Sequence, residues 1–114
     1  MILRTASLAA LLPLSILLGA AGPPPAAVAL GKTLVTQGNA HGILPCAACH
    51  GSHLQGNRAT GAARIAGVPP AETVSELAHI AEMPSGNYVM RHIARSMTPK
   101  DAKAIAAYLA TIRP

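Results

Sequence analysis

Cys46-Ala47-Ala48-Cys49-His50 is the stretch on which the reading of this chain turns. Two thiols at this spacing can each add across a vinyl group of one haem, and the imidazole that follows is then placed to ligate the iron. The order C-x-x-C-H is therefore read as a c-type haem attachment sequence. The chain has only two cysteines, and this motif uses both. A thiol oxidoreductase built on the same pair would need a βαβ pattern that the sequence lacks. A structural zinc would need four ligands, and no second paired motif supplies them.

Outward from the motif, the N-terminal part reads as an export signal. Met1 to Gly22 carries Arg4, then an apolar run from Leu8 to Leu18, then small residues. That run is shorter than the ~20 residues a spanning helix needs. We expect residues 1–29 to be a signal peptide with a Pro/Ala-rich linker, cleaved after Ala21 or Ala29, and residues 30–114 to be the domain. The domain then works in the periplasm, with membrane association only if the N-terminal segment stays uncleaved. Export agrees with the motif reading, because a bare C-x-x-C in an oxidising compartment would close into a disulfide.

The remaining composition bounds the core and the partners. The 114 residues contain no Trp, no Phe and only two tyrosines, Tyr88 and Tyr108. A short, aromatic-poor chain is marginal without a staple, so a haem is expected to form part of the core and the haem-free chain to be largely unfolded. Nine Lys and Arg stand against four acids. Arg91, Arg95, Lys100, Lys103 and Arg113 fall in the last quarter and suggest one positive side, either a docking surface for an acidic redox partner or an ordinary solvated helix face. Nucleic acid is excluded by export and by the absence of aromatics among the basic residues.

The pattern along the chain is all-α. A first helix is expected from about Ala29 to Gln37, with Leu30, Leu34 and Val35 on one side and Gly38 as its stop. Residues 39–45 and 51–67 read as loops. Pro69-Pro70 opens a helix to about Met83, where Pro84 stops it, and 84–87 is a turn. Thr98-Pro99-Lys100-Asp101 is a capping box, followed by the stripe Ile105, Tyr108, Leu109 and Ile112. No strand pattern and no internal repeat occur.

A six-coordinate haem needs a second axial ligand opposite His50. Met83, Met90 and Met97 compete. Met97 precedes the Thr98 cap, where an apolar residue staples a helix start against Ala102. Met83 ends an apolar stripe and suits gap-filling. Met90 has no such duty, although Met90, Ile93, Ala94 and Met97 share helical spacing. His92 is the imidazole rival, and His41, His53 and His79 have no spacing argument for ligation. Local chemistry favours Met90 and leaves Met97, then Met83 or His92, as alternatives.

From about Ala29 to Ile112 the chain resembles the small class I bacterial c-type cytochromes. The matching pieces are Ala29-Leu30-Gly31-Lys32, the run from Gly42 to Gly51, Ile65-Ala66-Gly67, and the stretch from Met90 to Leu109. The resemblance implies a class I fold of three to four short helices wrapped around one covalently attached haem c. It also implies attachment at Cys46 and Cys49 and axial ligation by His50 and Met90, with Met97 in the place usually held by leucine before the helix cap. Gly31 and Tyr108 stand where the family crosses its first and last helices. Ala63 stands where a proline often offers its carbonyl to the haem histidine. Tyr88 is the nearby candidate for a propionate. The implied function is a periplasmic one-electron carrier with redox protein partners and no enzyme activity of its own. The alternatives are a haem subunit of an exported dehydrogenase or oxidase complex and a five-coordinate gas or redox sensor.

Overall fold

The structure is a computed structural model that describes residues 9–10 and 22–114, so most of the segment expected to be an export signal lies outside the described residues. Five helices follow one another: α1 (Pro25–Gln37), α2 (Cys46–His50), α3 (Pro70–Glu82), α4 (Tyr88–Arg95) and α5 (Pro99–Thr111). Among the described residues the only β pairing is an isolated bridge between Asn57 and Ala62. No helix there is long and apolar enough to cross a membrane.

α1 begins at Pro25, earlier than the expected Ala29, because a proline at the first helical position loses no hydrogen bond. It ends where Gly38 takes a φ of 70° and gives its N–H to the Leu34 carbonyl. α5 carries the expected capping box: the Asp101 N–H donates to Thr98 Oγ1 at 3.1 Å, and the Thr98 N–H donates to Asp101 Oδ2 at 3.0 Å. Its run Ala104 to Ala107, with Leu109, is buried.

α1 and α5 cross at Gly31. A Cβ placed there would run into the Ala104 carbonyl and come within 2.7 Å of Tyr108 Cβ, so the backbones meet only because no side chain separates them. Around this crossing, Leu34, Val35, Ile43, Leu54, Ala66, Ile93, Ile105 and Leu109 form the core. α3 packs on α4 and α5, and α2 lies against α1.

Two short helices bring the total above the three to four expected. α2 is the C-x-x-C-H stretch itself. α4 takes up the spacing of Met90, Ile93 and Ala94, buries Ile93 and Ala94, and stops at Arg95 before Met97 is reached.

Candidate functional site

α2 presents its two thiols on neighbouring positions of one helical face, the i, i+3 relation. Cys49 is exposed and Cys46 half-buried, and both are free thiols. Burial pushes the Cys46 thiol up to about 11. At neutral pH it is therefore protonated and a poor nucleophile for thiol exchange.

His50, at the end of α2, places Nδ1 2.6 Å from the Ala63 carbonyl oxygen. A carbonyl only accepts, so Nδ1 must carry the proton and Nε2 holds the lone pair that a metal needs. The segment that offers this carbonyl is tied down from several sides. Leu54, buried and with a φ of 58°, accepts from the Ile65 N–H at 2.9 Å and the Ala66 N–H at 3.0 Å. The Gly56 N–H donates to the His50 carbonyl at 2.8 Å, and Thr60 Oγ1 donates to the Cys49 carbonyl at 2.6 Å. Replacing the family's proline with Ala63 leaves the bond in place, because the acceptor belongs to the backbone.

Met90 and Met97 are both half-buried against the core. Met90 shares the inward face of α4 with Ile93 and Ala94. His92 follows by two residues, about 200° further round the helix. It is exposed, and its Nε2 lies close to Gly42 in the loop before α2. Met90 and His92 therefore sit on opposite sides of α4. Met83 is half-buried at the end of α3, and His41, His53 and His79 are exposed. Among the described residues, no three His, Cys, Asp or Glu side chains stand together to hold a metal ion by themselves.

Two residues read from sequence as part of a positive docking side, the half-buried Arg91 and the exposed Arg95, are hydrogen-bonded to backbone carbonyls of the same chain. Arg95 donates from Nε to the Ala81 carbonyl at 2.8 Å and from Nη2 to the Met83 carbonyl at 3.1 Å. Arg91 donates from Nη1 to the Met83 carbonyl at 3.4 Å, its guanidinium carbon 5.8 Å from the centre of the Tyr88 ring. Arg91 Nε is buried with no partner. Leu54 had no sequence signal at all, since a leucine does not announce a left-handed backbone.

The family model for cytochrome c matches residues 28–113. The chain belongs to the cytochrome c family. Its fold is similar to that of reduced cytochrome c4 from Pseudomonas stutzeri, with a TM-score of 0.71, 26% identity, and coverage of 81% of this chain and 51% of that one. It is also similar to cytochrome c4 from Acidithiobacillus ferrooxidans, with a TM-score of 0.68, 31% identity, and coverage of 75% and 50%. Thiosulfate dehydrogenase from Marichromatium purpuratum matches with a TM-score of 0.70 and 36% identity over 76% of this chain and 19% of that one. A thiosulfate dehydrogenase electron acceptor from Thiomonas intermedia (strain K12) is 33% identical over 69 residues, 60% of this chain. The chain spans about a third of that relative's length.

Family membership implies covalently bound haem c and electron transfer. The donor set fits such a group: two thiols on one helical face, an imidazole with Nδ1 engaged and Nε2 without a partner among the described residues, and thioethers half-buried at the core.

Proposed function

We propose that this cytochrome is an exported one-electron carrier, with residues 1–29 as its signal and linker and residues 30–114 as the working domain in the periplasm. Cys46 and Cys49 hold one haem c by thioether bonds, and His50 and Met90 ligate its iron. When bound, the haem supplies the ferric/ferrous couple. Ala63 holds the His50 ring at a fixed angle and raises its basicity through the Nδ1 proton. Met90 contributes a thioether sulfur, which favours ferrous iron. Ile93, Ile105 and Leu109 keep water from the interior. No side chain of the site is assigned acid–base or nucleophilic work, and no reaction of its own is proposed.

The observation that carries this reading is the His50–Ala63 bond, which leaves Nε2 as the free ligating atom in a C-x-x-C-H sequence. The partners are redox proteins. Docking on a positive surface would rest on Lys100, Lys103 and Arg113, which are exposed, more than on Arg91 and Arg95, whose guanidinium groups are hydrogen-bonded to the end of α3.

A second reading is a haem subunit or domain of an exported dehydrogenase complex. It is favoured by the two relatives named for thiosulfate dehydrogenase. The redox role is the same in both readings; permanence of the partner separates them, and co-purification from the native periplasm tests it.

Optical spectra of the protein matured in a haem-attaching periplasm test the core of the proposal. Covalent c-type haem with the weak far-red sulfur-to-iron band in the ferric form is expected, and Met90→Ala should abolish that band. Haem without the band points instead to His92 or an open site. Protein without covalent haem sinks the reading.

A further inference from the structure

α4 has only eight residues, too few to be stable without tertiary contacts. Its cap residue, Asn87, makes no side-chain capping bond, and the turn before it runs through Gly86 and Asn87 with φ of 75° and 41°. In its first turn Tyr88 is 79% exposed and Val89 52% exposed. The buried anchors, Ile93 and Ala94, come only in the second half. Core packing therefore holds the inward face of α4, Met90, Ile93 and Ala94, and leaves its orientation against α3 to other contacts.

The end of α3 supplies what is missing. A helix terminus leaves carbonyls without intrahelical donors, and a cation beside them is favoured by the helix dipole. The Arg95 fork spans two such carbonyls, Ala81 and Met83, and Arg91 reaches the second of them. A planar fork on two acceptors fixes both distance and angle, which a lysine cannot do.

We propose that Arg91 and Arg95 form a clasp that locks α4 to the end of α3 and so positions the Met90 sulfur for ligation. They are positioning residues, acting through Met90. The inference rests on the assignment of Met90 as the ligand.

The test uses the haem-loaded protein and added imidazole, which competes with a thioether for ferric iron. Arg95→Gln should bind imidazole about ten-fold more tightly and weaken the far-red band, with Arg95→Lys in between. Thr98→Ala, which loosens the start of α5 without removing a bond of either arginine, should leave imidazole affinity unchanged. Equal tightening in Thr98→Ala and Arg95→Gln would overturn the clasp, since general loosening would then explain both. A band that disappears in Met90→Ala yet is indifferent to Arg95→Gln, with unaltered imidazole affinity, overturns the clasp alone. A band that survives Met90→Ala overturns the ligand assignment, and the clasp's role with it.

Discussion

The His50 imidazole donates from Nδ1 to the Ala63 carbonyl at 2.6 Å, a bond made by backbone alone on the acceptor side. Among the described residues the Ala63 N–H donates to no backbone carbonyl, and Ala62 before it is paired in an extended bridge with Asn57. Proline suits such a position, because it removes no bond and prefers an extended predecessor. Ala63→Pro is expected to keep the far-red band and stabilise the haem-loaded protein by about 0.4–1 kcal/mol, through restriction of the unfolded chain. Thermal melts followed at the haem absorption check it; a loss of stability would show that the local φ is not proline-like.

At the helix crossing, Gly31→Ala forces a methyl against the Ala104 carbonyl and the Tyr108 Cβ, both fixed groups rather than flexible side-chain ends. Overpacking of this kind costs about 1–3 kcal/mol, more than alanine's helix preference over glycine returns. A lowered denaturation midpoint in urea is expected. An unchanged midpoint would mean that α1 and α5 can part without loss.

Thr98→Ala removes the hydroxyl that accepts the Asp101 N–H. A loss of about 1 kcal/mol is expected. Asp101→Asn, which retains an acceptor for the Thr98 N–H, should lose less. Denaturation of the two variants side by side measures the difference.

Leu54 sets two effects against each other. Its left-handed φ of 58° costs roughly 1–2 kcal/mol, whereas truncating a leucine that is only 3% exposed costs about 2–5 kcal/mol. Burial wins, so Leu54→Gly should destabilise the protein despite relieving the backbone. A stabilised variant would show that strain dominates.

The parts legible in the sequence are those specified by local chemistry. Thr98, Pro99 and Asp101 announced the start of α5 because a capping box needs only neighbouring residues. Gly31 and Tyr108 marked the crossing through the family resemblance, and the geometry places them together. The spacing of Cys46, Cys49 and His50 marked the candidate haem site, though not the short helix that carries it. What escaped depends on distant segments. Pro25 was taken for linker because a helix start at a proline run is decided by packing downstream. Arg91 and Arg95 read as surface charge because their acceptors, Ala81 and Met83, become free only where α3 stops. Met90 and Met97 are both half-buried against the same core, so burial class gives no preference between them.

The contact between α1 and α5 joins the first and last helices of the described chain, so it is the fold's most non-local closure and, on loop-entropy grounds, a late one to form. A chain that has not yet made this contact can already pack α2 against α1, its neighbour in sequence. If Cys46 and Cys49 carry a haem as proposed, the covalent step would precede closure at the Gly31 crossing. Topology thus separates local packing around α2 from the long-range closure at Gly31, which loop entropy makes the slower step.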